Sequence, residues 1–136
     1  MTTILIVDDS PTIRRMVRAS LEGLPGLTFR EAQTGLDAIE SLVVAPADLI
    51  VLDLNMPDMH GLDVLKFVRS QGAFATLPVV VLTTRGDESS RAAALAAGAT
   101  LFLTKPFSPV ALANDVRVLL GLDRPSASAT SAGERS

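Results

Sequence analysis

The sequence contains no cysteine, no tryptophan and no tyrosine, and only one histidine. Without cysteine there is no disulfide, no thiol nucleophile and no cysteine-bound zinc, and the compartment stays open on that count. The single histidine, His60, has no second imidazole with which to hold a metal and falls well beyond the nearest strand end, so it reads as a solvated loop residue. Positive charge is not in excess: 12 Lys and Arg face 15 Asp and Glu, a formal net charge of −3. No helix carries a basic stripe either, and a nucleic-acid partner is not expected. No apolar run approaches the roughly 20 residues that span a bilayer. The first strand-like run begins at residue 3 or 4 and leaves no room for a signal peptide, so no membrane association and a cytoplasmic location are expected.

What remains is an ordinary globular composition, 48% hydrophobic and 20% charged over 136 residues, enough for one domain with a real core. Thr2 to Val7 reads as a first strand ending in Asp8-Asp9-Ser10-Pro11. Ser10 and Pro11 suit the N-cap and first position of a helix in which Ile13, Met16, Val17 and Leu21 recur at helical spacing, with Arg14, Arg15 and Arg18 on its wet face. Leu27 to Ala32 is a second strand, and Thr34 to Asp37 resembles a capping box opening a helix that runs to about Val44. Leu49 to Leu52 is apolar without alternation, as in a strand buried on both faces, and it ends in Asp53. Leu62, Leu65 and Val68 mark a third helix fading at Gly72. Pro78 to Leu82 is a fourth strand leading into Thr83, Thr84 and Arg85. Asp87 caps a helix reaching Ala97, and Thr100 to Leu103 is a fifth strand. Ser108 and Pro109 open a last helix with Val110, Ala113, Val116 and Leu120 as its apolar positions. Residues 1–122 therefore read as one domain, and the polar segment 123–136 as a disordered tail.

Five strand–helix repeats with short connections predict an open α/β fold: a doubly wound parallel sheet in three layers, too few repeats for an eight-stranded barrel. Sites in such sheets lie outside the carboxyl ends of the strands. The side chains expected there are Asp8 and Asp9, Asp53, Thr83 and Lys105. Three clustered carboxylates repel by roughly 4 kcal/mol per close pair at an effective dielectric near 20, so the site calls for a cation, and oxygen-only ligands favour Mg2+. A metal on Asp9 and Asp53, with Asp8 orienting its waters, leaves one Asp53 oxygen free to attack phosphorus, while Lys105 and the Thr83 hydroxyl neutralise phosphoryl oxygens.

These residues resemble the receiver domain of two-component response regulators, most closely the single-domain chemotaxis type. The landmarks are Val7-Asp8-Asp9-Ser10, the run from Asp53 to Gly61, Thr83-Thr84, Gly98-Ala99 and Lys105-Pro106-Phe107, spanning residues 3 to about 121. The resemblance implies a flavodoxin-like sheet in the order 2-1-3-4-5, phosphorylation of Asp53 by a sensor histidine kinase or histidine phosphotransfer protein, the Asn55 backbone carbonyl as a further metal ligand, and a cis Lys105–Pro106 peptide. It implies no catalytic turnover beyond self-catalysed phosphorylation and dephosphorylation. A switch is implied as well, in which Thr83 moves toward the phosphoryl group and Phe102 turns inward; Phe102 replaces a Tyr and lacks its hydroxyl. Asn55 and Arg85 occupy the positions that tune dephosphorylation, and Arg85 departs from the acidic residue of the best-known members, which predicts a longer-lived acyl phosphate. No output domain follows, so signalling is expected to reach a separate target at the face made by the fourth helix, fifth strand and fifth helix. A phosphate sink or relay intermediate is the alternative within the family. Outside it, a haloacid-dehalogenase-type phosphatase would need a general acid where Asn55 stands, and a flavodoxin's phosphate would be repelled by Asp8 and Asp9.

Overall fold

In the computed structural model, which describes residues 2–56, 61–84 and 86–122, five parallel strands alternate with five helices. The elements are β1 (Thr2–Val7), α1 (Pro11–Leu21), β2 (Leu27–Ala32), α2 (Gly35–Val44), β3 (Leu49–Asp53), α3 (Gly61–Ser70), a 3-10 turn at Gly72–Phe74, β4 (Val79–Thr83), α4 (Glu88–Ala96), β5 (Leu101–Thr104) and α5 (Pro109–Leu120). The sheet order is β2-β1-β3-β4-β5, the flavodoxin-like order that the resemblance implied. The chain reverses its direction of winding between β1 and β3, and the open end of that seam is where a ligand crevice forms.

Unbroken apolar runs in β1, β3 and β4 follow from burial on both faces. Leu5, Val7, Ile50, Leu52, Val79 and Val81 pack with Ala38, Leu42, Val64, Leu65 and Val68 of α2 and α3 and with Ala94 of α4. The alternate residues Ile4, Ile6, Leu49, Val51, Val80 and Leu82 pack with Val17 and Leu21 of α1 and with Leu112 and Val116 of α5. Each Val, Leu or Ile among them contributes about 1.5–3 kcal/mol by leaving water.

Four helices start at side-chain caps of the kind read from the sequence. Ser10 Oγ accepts from Ile13 N at 3.2 Å, Thr34 Oγ1 from Asp37 N at 3.0 Å, Asp87 Oδ2 from Ser90 N at 3.1 Å and Ser108 Oγ from Ala111 N at 3.2 Å. Each cap is worth about 1 kcal/mol.

Three expectations need correction. Val110 is not on the buried face of α5: it is 71% exposed, and Leu112 takes its place with Val116. A stripe starting at Val110 would need apolar residues at 114 and 117, where Asn114 and Arg117 stand. Met16 is likewise exposed, since Val17 and Leu21 already fill the seam beneath α1. Arg14 is not part of the wet face; its side chain is mostly covered and bonded inward.

Candidate functional site

Strand register assembles the site. Val7 pairs with Leu52, so the next residues, Asp8 and Asp53, emerge side by side at the sheet's carboxyl rim. Thr83 pairs with Thr104, and the Lys105 N–H donates to Thr83 O at 2.8 Å, which brings Lys105 to the same rim. The Lys105–Pro106 peptide is cis, as the resemblance implied.

The acidic residues converge as expected. Asp8, Asp9 and Asp53 each bring one oxygen to within 4.8 Å of the others, with Asp8 and Asp53 buried and Asp9 exposed. Lys105 joins them: its Nζ lies 2.9 Å from Asp8 Oδ2 and 3.3 Å from Asp53 Oδ1. Asp8 Oδ1 accepts from Ser10 N at 2.9 Å, so the first turn of α1 fixes this carboxylate. Asp53 Oδ1 accepts a second bond, from Asn55 N at 3.1 Å. Among the described residues no hydrogen bond falls on Asp53 Oδ2 or on the Asp9 carboxylate, so both keep lone pairs for another partner.

Burial pushes the Asp53 carboxyl above its ordinary value of 3.8, and the Asp8 charge adds to this; the Asn55 N–H and Lys105 act against the rise without cancelling it. For Lys105 burial acts to lower the pKa, but the hydrogen bond to Asp8 and the charges of Asp53 and Asp8 outweigh it, so its ammonium is held more firmly than a free lysine's. When all four groups are ionised their charges sum to −2, from three carboxylates and one ammonium. A hard divalent cation with oxygen ligands fits both that charge and that donor set.

Thr83 is fully buried at the end of β4. Asn55 Nδ2 donates to Thr83 Oγ1 at 2.9 Å and, more weakly, to Thr84 Oγ1 at 3.4 Å, tying the segment after β3 to the segment after β4. Asn55 and Thr83, with Leu54, Leu62, Ser89, Ser90 and Ala93, line a cleft of about 280 Å3 beside the first turns of α4. Phe102 is partly buried on β5 and packs against the core on the α2–α4 side of the sheet. Gly61 is required where α3 returns to the rim: a Cβ there would lie 2.5 Å from Asp53 O and 2.6 Å from Leu54 Cα, both backbone atoms. Arg85 and His60 lie outside the described residues.

Sequence reading missed Arg14. Its Nη1 donates to Asp8 O at 2.6 Å while its Nε pairs with Glu31 Oε1 at 2.8 Å, so it braces the acidic turn from behind. The available signal was its position one helical turn after the Ser10 cap, facing Glu31 of the neighbouring strand.

A doubly wound sheet with two buried carboxylates, a third exposed beside them, and a lysine at the same rim is a flavodoxin-like domain whose donor set suits a cation or a phosphoryl group. Residues 4–117 match the model of the response regulator receiver domain, and the chain belongs to that family. It is 39% identical to chemotaxis protein CheY1 of Helicobacter pylori over 119 residues, 87% of this chain and 96% of that protein. It is 41% identical to the KDP operon transcriptional regulatory protein KdpE of Escherichia coli, covering 88% of this chain and 52% of that protein. Among solved structures, chemotaxis response regulator CheY4 of Vibrio cholerae superposes with a TM-score of 0.81 at 36% identity, over 88% of this chain and 99% of that one. The chain is thus a receiver domain of the CheY type, a phosphoacceptor in two-component signalling.

Proposed function

We propose that Asp53 is the phosphorylated residue, and that its phosphorylation switches the surface formed by α4, β5 and α5 to control binding of a partner protein. The observation that carries this is the environment of Asp53: a carboxylate buried at the switch point and held through Oδ1 by Asn55 N and Lys105, with no hydrogen bond to Oδ2 among the described residues. One Asp53 oxygen forms the new P–O bond as the donor's P–N bond to a kinase or phosphotransfer histidine breaks, and the bonding pair leaves with the imidazole nitrogen. Lys105 then contacts a phosphoryl oxygen as a compact positive charge, and Thr83 donates its hydroxyl to another. Asp8, Asp9, Asp53 and the Asn55 carbonyl would hold Mg2+, which when bound neutralises phosphoryl charge during transfer. Arg14 keeps the Asp8–Asp9 turn in place for that task.

In this reading Thr83 and Phe102 carry the change outward to the α4–β5–α5 surface. The chain acts on itself only, with self-catalysed phosphorylation and dephosphorylation and no turnover of a separate substrate. Its partners are a sensor histidine kinase or phosphotransfer protein and a downstream target, in the cytoplasm. No helix among the described residues is long and apolar enough to cross a membrane. Arg85, a cation two residues after Thr83, favours a long-lived acyl phosphate. Intact mass after incubation with Mg2+ and acetyl phosphate tests the assignment: wild type gains one phosphoryl group and Asp53→Asn gains none. An equal gain in both, or no Mg2+-dependent gain in wild type, overturns it.

A further inference from the structure

Asn55 touches both ends of the proposed switch. Its backbone N–H donates to Asp53 Oδ1, and its side chain donates to the hydroxyl of Thr83, a residue that is fully buried. The same Nδ2 reaches Thr84 Oγ1, so a single carboxamide grips two consecutive residues at the end of β4. Among the described residues the hydrogen bonds of this carboxamide go to Thr83 and Thr84, whereas Lys105 bonds the carboxylates of Asp8 and Asp53.

We propose that the Asn55 carboxamide is a resting-state latch on Thr83, a positioning group that acts through the threonine hydroxyl and not on the phosphoryl group. The inference rests on Asp53 being the acceptor. Moving Thr83 toward a group on Asp53 requires the Asn55 bond to lengthen or break, so the latch opposes the active arrangement by the worth of that bond. A neutral side-chain hydrogen bond contributes about 0.5–1.5 kcal/mol, and Asn55 is exposed, so water competes and the lower part of that range applies. The latch therefore weakens capture of the active arrangement about two- to fivefold. Its release also frees the wall that Asn55 and Thr83 form along the cleft beside α4, linking the event at Asp53 to the helix of the proposed output surface.

A double-mutant cycle tests the latch, with Mg2+ and beryllofluoride as the probe, a tetrahedral mimic of a carboxyl-bound phosphoryl group. Asn55→Ala keeps the backbone N–H and carbonyl and removes only the carboxamide. Thr83→Val keeps the shape of the threonine and removes its hydroxyl. The latch predicts that Asn55→Ala binds beryllofluoride about two- to fivefold more tightly than wild type, and that the same substitution has no effect in a Thr83→Val background. Weaker or unchanged binding by Asn55→Ala, or an equal change in both backgrounds, overturns the latch. Failure of wild type to bind beryllofluoride at all overturns the phosphoacceptor reading itself and is distinguished from the others by that fact.

Discussion

Asp53→Asn should stabilise the metal-free protein at neutral pH. Asp53 is 2% exposed, and one of its oxygens lies within 4.8 Å of an Asp8 oxygen, a repulsion of about 3.5 kcal/mol at an effective dielectric of 20. Lys105 Nζ at 3.3 Å returns about 5 kcal/mol on the same scale. These two terms nearly cancel once Asp9 adds its weaker, solvent-screened repulsion, so the cost of burying the charge decides the sign. The raised pKa of Asp53 has burial as its largest cause and agrees with that sign. Lys105 keeps its 2.9 Å partner Asp8 in the variant, so its ammonium is not left unpaired. The expected gain is about 1–2 kcal/mol, or roughly 4 °C or more in Tm for a domain of this size. The pH course follows. A carboxyl whose folded-state pKa is raised contributes stability that is complete below the unfolded value of 3.8 and is lost as pH rises through the folded value. The variant's advantage should therefore be small near pH 3.8, grow above it and level off toward neutrality, and Mg2+ should narrow it by stabilising only the wild type. Thermal melts by circular dichroism with chelator, across pH and with added Mg2+, provide the measurement. An Asn variant no more stable than wild type at pH 7 without metal, or an advantage equal at pH 4 and pH 7, would refute the reasoning.

Further outcomes follow from the same geometry. Lys105→Ala removes the cation between two buried carboxylates and should cost about 2 kcal/mol in the metal-free protein, with Mg2+ restoring more stability to the variant than to wild type in parallel denaturant titrations. Gly61→Ala drives a methyl group into backbone at 2.5 Å and should cost about 1–3 kcal/mol while slowing phosphorylation, because the displaced atoms belong to Asp53 and Leu54; an unchanged urea midpoint would contradict it. Arg85→Glu should shorten the life of the acyl phosphate, read as the rate of loss of the phosphorylated mass, and a slower loss would count against a protective Arg85.

Much of this architecture is visible in the sequence because local signals and burial agree. β1 ended where expected, β3 runs one residue further to take in Asp53, which pairs with Leu82, and the hydroxyl and carboxylate caps at Ser10, Thr34, Asp87 and Ser108 all formed. The boundaries that moved did so for reasons of pairing. β4 and β5 extend by one polar residue to Thr83 and Thr104 because those two residues face each other in the ladder. The 3-10 turn at Gly72–Phe74 was hidden behind a glycine read as a stop. Strand ends disclosed Asp8, Asp9, Asp53, Thr83 and Lys105 as neighbours, since parallel register brings every carboxyl end to one rim. Contacts between long side chains and distant backbone were not legible. Arg14 reaching Asp8 O is one such contact, and Arg69 joining Gly98 O and Phe74 O at 2.9 Å and 3.1 Å is another. The Asn55–Thr83 bond belongs with them, because no spacing rule connects a residue in the loop after β3 with one at the end of β4.

The central claim is that one particular carboxylate becomes an acyl phosphate. Borohydride reduces an acyl phosphate to the alcohol, so protein treated with Mg2+ and acetyl phosphate, then reduced and digested, carries the position of the phosphoryl group as a homoserine readable by tandem mass spectrometry. The account predicts homoserine at position 53, dependent on Mg2+, with Asp8 and Asp9 unmodified. Homoserine at position 8 or 9, or none anywhere in a protein that has gained the phosphoryl mass, would contradict it.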